Sequence, residues 1–516
     1  LIDPLTAREV AVYRDQTVDG YPAEPPYGPA EHFPEYPFAW PKGSSPGGRV
    51  YGLVRNVFYI LGLDRADFGS PEWNPLGEFI APGDTVLVKP NWVFHSGEGI
   101  SPAEALFVNA SVIRPVLDYA TIALQGRGRI ILADAPIQNA DFELILKQAG
   151  VQELVDFWAS CGKIPLEVRD LRQDEVRTVQ GDRIISRSRS QGDPLGYRAV
   201  NLGLKSHLTP LDKNFRSYRV TNYNPMEMVR HHNPTTHEYL ISSSVLGADT
   251  VINLAKLKTH RKGGMTCALK NLVGINGSKD WLPHHRSGSP SEGGDEYAER
   301  NFFKKMASQL GDRLSGLAPG TGFNFLWQLR RVSAVLGRLT SGNSISEGSW
   351  YGNDTLWRTV LDLVTILFYA DREGRVADQP VRRHLALVDA VVAGEGDGPL
   401  KAAPRQAGML IAGANPLAVD AAAASLIGLD LRRIPLIARG FEMDRQSDRP
   451  VLARFSWPEV GLLSNVPCWN EIKLEQPEEI DGRLDFEPPT GWKSYLELEK
   501  RKVSEEEGQG GPGGKS

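Results

Sequence analysis

Residues 248–274 read ADTVINLAKLKTHRKGGMTCALKNLVG, and the way this stretch divides decides the fold. Ala248 to Leu254 are apolar and β-branched, as in a buried strand. Lys256, Lys258, His260, Arg261, Lys262 and Lys270 then crowd around Gly263 and Gly264, although the whole chain has a formal net charge of −5. In an open α/β sheet, ligands lie beyond the carboxyl ends of the strands, so a buried strand emptying into a cationic glycine turn suits an anion. Gly263 and Gly264 let backbone amides face a ligand, and Thr266 to Leu272 is expected to open a helix whose N-terminus favours negative charge. The alternative is a solvated basic loop. The spacing is not that of a P-loop.

The same punctuation recurs on either side. Thr85 to Val88 (TVLV) runs into Lys89-Pro90-Asn91, and Gly128 to Ala133 (GRIILA) ends at Asp134. A strand is expected near Leu166 to Val168, another from His384 to Val388 ending at Asp389, and a further one at Met409 to Ala412. Helical patterns lie near Arg49 to Leu63 and over Asn109 to Leu124, Phe142 to Gly150 and Pro416 to Leu426. This alternation predicts an α/β fold with a mainly parallel sheet and crossover helices, plus a polar β-rich insertion and a helical insertion. The chain divides into an extended proline- and aromatic-rich wrap (1–50), the first part of the α/β domain (51–170) and the β-rich insertion (171–240). The α/β domain continues with the cationic motif (241–295), is interrupted by the helical insertion (296–370) and is completed at 371–440. A C-terminal segment (441–503) and a low-complexity tail expected to be disordered (504–516) follow.

Composition narrows the function. The slightly acidic balance argues against non-specific nucleic-acid binding, and no stretch approaches the ~20 apolar residues of a membrane span. Cys161, Cys267 and Cys468 are odd in number and far apart, so no disulfide framework and no iron–sulfur cluster is expected, and a reducing, cytoplasmic setting is. His231, His232 and His237 lack a standard zinc spacing, and HExxH does not occur.

The strand ends are expected to converge, with Asn91, Asp134, His260 and Asp389 at one rim. Lys89, Asn91, Lys256, Lys258, Lys270 and Asn271 are candidates for holding an anionic substrate, and His260, His284 and His285 for proton transfer. Asp134, Asp389, Glu395 and Asp420 are candidate oxygen ligands for Mg²⁺, Mn²⁺ or Ca²⁺; equally, they neutralise the lysines.

Five blocks, VLVKPNWV (86–93), ILADAP (131–136), DTVINLAKLKTHRKGGMTCALKNLVGINGSK (249–279), LVDAVVAGEGDGP (387–399) and GMLIAGANPLAVDAAAASLIG (408–428), together resemble the family called domain of unknown function 362. The resemblance implies an α/β fold and a site built from those motifs, without an assigned reaction. Some relatives carry ferredoxin-like cysteine clusters, which this chain lacks; the segment at 352–370 looks like a feature of a longer subgroup. The expectation is an enzyme acting on a small anionic metabolite (sugar, nucleotide or carboxylic acid), with a divalent cation as the candidate cofactor. The alternative is a non-catalytic ligand-binding or assembly protein. It rests on FNFLWQLRRVSAVLGRL (323–339), whose aromatic and leucine face, opposed by Arg330, Arg331 and Arg338, suits a membrane surface, a protein partner or the core.

Overall fold

The computed structural model describes residues 3–39, 48–180, 183–221, 223–315, 317, 320–446 and 452–499. The tail expected to be disordered, and residues 1, 2 and 40–47 of the expected wrap, lie outside them. One ten-stranded sheet organises the chain: β1 (Glu9–Arg14), β2 (Thr85–Pro90), β3 (Arg129–Asp134), β4 (Leu166–Asp170), β5 (Thr250–His260), β6 (Gly264–Thr266), β7 (Arg383–Asp397), β8 (Lys401–Gly413), β9 (Gly461–Ser464) and β10 (Ile472–Lys473). The order across it is β10-β9-β1-β8-β7-β5-β2-β3-β4, with β6 folded back on β5. Strands β7, β5, β2, β3 and β4 are all parallel, whereas β8 runs antiparallel to both its neighbours, β7 and β1. The fold is α/β with a mixed, mostly parallel sheet.

Alternation along the strands assigns the two faces. Leu87, Ile131 and Val251 join a core with the helices Leu356–Tyr369 and Pro416–Leu426. Val86, Val88, Ile130, Leu132, Ile252 and Leu254 join the opposite core, beneath Val50–Leu61 and Ala110–Leu124. Both faces are covered, so the strands read as continuous apolar runs. Local signals start the helices: the side chain of Asn415 accepts hydrogen bonds from the Leu417 and Ala418 amides ahead of an alanine-rich helix with Pro416 at its first position.

Four expectations need correction. The N-terminal segment does more than wrap, because Glu9–Arg14 enters the sheet between β8 and β9, with Val10, Ala11 and Val12 fully buried. The C-terminal segment likewise supplies β9 and β10. The strand expected to stop at Asp389 continues to Asp397 and pairs with β8, so the acidic block is one arm of a hairpin. Gly264–Thr266 is a strand, and the helix expected from Thr266 is confined to Ala268–Asn271, too short to present an anion-binding N-terminus.

The polar insertion contains the hairpin Asp174–Gln180/Arg183–Arg189 and a small sheet in which Thr236–Ser242 pairs with Tyr197–Asn201 and His232–Asn233. The helical insertion contributes Phe302–Leu314, packed on Thr321–Ser341 as an outlying hairpin.

Candidate functional site

The parallel register puts the strand ends level. Asn253 lies opposite Lys89, and Lys256 opposite Asp389. A bulge then sets Lys258 against Gly394, where a Cβ would sit 2.9 Å from that of Lys258; glycine permits the close approach. Beyond His260 the chain turns through Gly264, at φ +76°, and β6 returns along β5 with Thr266 opposite Lys258. That return brings Lys270 and Asn271 back to the rim.

Two lysines are neutralised within the protein. Lys89 Nζ lies 2.8 Å from Asp134 Oδ1, and Lys256 Nζ lies 3.0 Å from Asp389 Oδ2, all in the interior. Asp134 also accepts from the Trp92 and Ala135 amides, and the Tyr21 hydroxyl donates to Asp389 at 2.6 Å. Asn271 ties the ends of β2 and β5 together. Its Oδ1 accepts from Lys89 Nζ and Asn91 Nδ2, while its Nδ2 donates to Asn253 Oδ1 and to the Lys89 and Leu254 carbonyls. Its polar atoms are thus engaged by protein, which makes it a brace between strands. Gly274 packs against this pair, since a Cβ there would fall 1.9 Å from Asp134 Oδ1 and 2.7 Å from Lys89 Nζ. Gly274→Ala is therefore expected to lower stability by about 1–3 kcal/mol through overpacking, measurable by urea denaturation; an unchanged midpoint would contradict this placement.

Four further lysines have no carboxylate within ion-pairing distance, although Glu347 acts on Lys262 and Asp134 on Lys279 from farther away. Among the described residues, Lys258, Lys262, Lys270 and Lys279 make no ion pair; the first, second and fourth are buried and Lys270 is partly exposed. Lys258 donates to Asn91 Oδ1 and the Leu106 carbonyl, Lys262 to Thr221 Oγ1 at 2.8 Å, and Lys279 to the Ala135 carbonyl at 2.8 Å. Lys270 keeps part of its surface open, yet the protein packed around it, followed by the neighbouring Lys279 and Lys262 ammonium groups, brings it down to about 7. Burial is also the main cause that brings Lys262 and Lys279 to about 8 and Lys258 well below its ordinary value, with Lys256 and Lys270 adding to the last.

The histidines have defined tautomers. His260 Nδ1 accepts from the Lys262 and Gly263 amides, so the neutral ring carries its proton on Nε2. His284 Nδ1 lies 2.7 Å from the Leu282 carbonyl and must donate, which leaves Nε2 bare. Burial, then the surrounding cations, holds both well below their ordinary value, so neither is charged near neutral pH. His285 is buried with Nδ1 unpartnered, and lines a different space from the lysines, the cleft under the helical hairpin.

The expected carboxylates are dispersed among separate partners. Glu395 accepts from the Glu487 amide, whereas Asp420 accepts from the Leu269 amide and meets Cys267, with burial raising its carboxyl to about 7. Among the described residues no group of three or more His, Cys, Asp or Glu side chains is placed to hold a metal ion. Of the residues named from sequence, Lys89, Asn91, Asp134, Lys258 and Asn271 form one bonded network, while Lys256 and Asp389 form a pair beside it. Sequence reasoning passed over Lys279, although it closes the GINGSK block, and Tyr21 and Thr221, whose roles arise only from tertiary placement.

Residues 199–425 match the family described as Domain of unknown function (DUF362). No curated protein matches. Among solved structures, a protein from Thermotoga maritima aligns at 9% identity over 68% of this chain and 53% of its own length, with a TM-score of 0.28, so the chain spans about half of that structure.

Proposed function

Because the chain carries a DUF362 domain, whose description names no reaction, we propose from the site itself that it is an enzyme acting on a small anionic metabolite at the carboxyl rim of the sheet, in the cytoplasm. The observation that carries the reading is the group of four lysines that, among the described residues, have no carboxylate within ion-pairing distance. An ammonium group taken from water without a counter-ion is costly, and an anion entering the group supplies the missing charge. Lys270, the partly exposed member of the four, holds the anion together with Lys262, and Lys258 and Lys279 add positive charge nearby. His260 donates from Nε2, and the bare Nε2 of His284 accepts a proton once the anion offsets the surrounding cations. A divalent cation enters this reading only with the anion, since Asp134 and Asp389 already face lysines in the free protein.

Calorimetric titration with sulfate tests the reading. The wild-type protein is expected to bind sulfate, Lys270→Ala to weaken it about tenfold to a hundredfold, and Mg²⁺ alone to give no heat of binding. If the wild-type protein binds neither sulfate nor phosphate, the reading fails.

A specific observation supports a second role, peripheral contact with a membrane. On the helix Thr321–Ser341, Phe325, Leu329, Val332 and Leu339 are exposed at helical spacing, where core packing would have covered them. Residues 300–345 carry seven basic side chains against one acidic residue, Asp312. Among the described residues no helix is long and apolar enough to cross a membrane, so contact of this kind lies at the surface. The protein is expected to pellet with vesicles containing anionic lipid, and Phe325→Ser with Leu339→Ser to abolish pelleting. Pelleting unaffected by that double variant would remove the helix from consideration.

A further inference from the structure

The helical hairpin roofs a cleft of about 660 Å³ that the lysine group does not account for. This volume lies within the range of small-ligand sites. Three polar atoms of residues lining it have no hydrogen-bond partner: His285 Nδ1, Tyr297 Oη and Trp327 Nε1. His285 is 3% and Tyr297 1% exposed, so solvent does not readily satisfy them in place of protein. Buried polar groups are rarely left unpaired, and three around one cleft indicate a ligand with hydrogen-bond acceptors, which Trp327 Nε1 requires, while the Tyr297 hydroxyl and His285 Nδ1 take either a donor or an acceptor. The same walls include aromatic rings (Tyr223, Tyr297, Trp327), the cations Arg331 and Arg338, and the carboxylates Glu296, Asp312 and Glu347, the last accepting from Thr221. The cleft also meets the lysine group: Thr221 lines it and accepts from Lys262, and His285 follows His284 in the chain.

We propose that this cleft binds the heteroaromatic body of a nucleoside phosphate, whose phosphate reaches past Thr221 to Lys262 and Lys270. The proposal rests on the anion-binding reading of the lysine group and narrows it to one substrate class. A base supplies a flat apolar surface together with hydrogen-bonding atoms for the unpartnered groups. A sugar phosphate and a simple carboxylate offer hydrogen-bonding oxygens but lack that flat apolar surface.

The test is a calorimetric comparison of AMP, GMP, CMP and UMP with ribose 5-phosphate. At least one nucleotide is expected to bind tenfold or more tightly than ribose 5-phosphate. Tyr297→Phe removes a hydroxyl with no protein partner, so it is expected to leave the melting temperature unchanged yet weaken the preferred nucleotide about tenfold, with ribose 5-phosphate unaffected. Ala334→Trp, filling the cleft from its helical wall, is expected to do the same. If ribose 5-phosphate binds and all four nucleotides bind no tighter, or if both variants bind the nucleotide normally, the cleft assignment is overturned and the lysine reading stands. If no anion binds, both are overturned.

Discussion

Lys89→Ala is expected to lower stability by about 3–5 kcal/mol, because it leaves Asp134 buried without its counter-ion. The pair lies 2.8 Å apart with both side chains in the interior, and Asn271 and Gly274 close around it. From sequence, Lys89 is a candidate substrate-binding residue; in the structure its ammonium is already engaged. Urea denaturation gives the magnitude, and a loss below about 1 kcal/mol would mean that the pair is replaceable by solvent. Lys89→Met combined with Asp134→Asn is expected to recover much of the loss, since the unpaired charge is then gone.

Lys270 is expected to behave in the opposite way. In the free protein its ammonium is brought down to about 7, first by the protein packed around it and then by Lys279 and Lys262. Between about 7 and the ordinary lysine value, the unfolded chain therefore binds more protons than the folded one, and this group's contribution to stability rises with pH across that window. Lys270→Met removes a group whose charged form is disfavoured, so at pH 7 the melting temperature is expected to stay level or rise. Sulfate, whose charge is constant over the range, needs the charged lysine. Its affinity is accordingly expected to fall about a hundredfold between pH 6.5 and 9 from Lys270 alone, more if Lys262 and Lys279 contribute, and the Lys270→Met variant is expected to flatten the profile. A profile that is the same in the variant would place the anion elsewhere.

How far this was legible in sequence depends on the range of the signal. The parallel core is readable because β2, β3 and the first half of β5 are apolar runs, and helix Pro416–Leu426 begins with a local cap; β5 itself continues past the expected end at Leu254 to His260, with Lys256 and Lys258 buried inside the strand. β1 was hidden: EVAVYR is short, stands in proline- and aromatic-rich sequence, and acquires strand character only by pairing with β8 and β9, hundreds of residues later. β7 was cut short at Asp389 because a charged residue reads as a strand end, whereas Lys256 and Tyr21 neutralise it inside the sheet. The cationic motif was evident from composition, but its division was not. Which lysines find carboxylates depends on register: Lys256 falls opposite Asp389, while the bulge moves Lys258 onto Gly394. The neutral state of His260 is not legible in sequence, because burial, and then the cations around it in space, set it.

The central claim is that a group of lysines with no carboxylate within ion-pairing distance is completed by an anion. It is tested most directly by counting protons taken up when sulfate binds at pH 8, using calorimetry in buffers of different ionisation enthalpy. At that pH Lys270, at about 7, is mostly neutral, and Lys262 and Lys279, at about 8, are partly so. The anion recharges them, so the predicted result is an uptake of about one proton or more per sulfate, reduced in Lys270→Met. Binding without proton uptake, or uptake unchanged in that variant, would contradict the account.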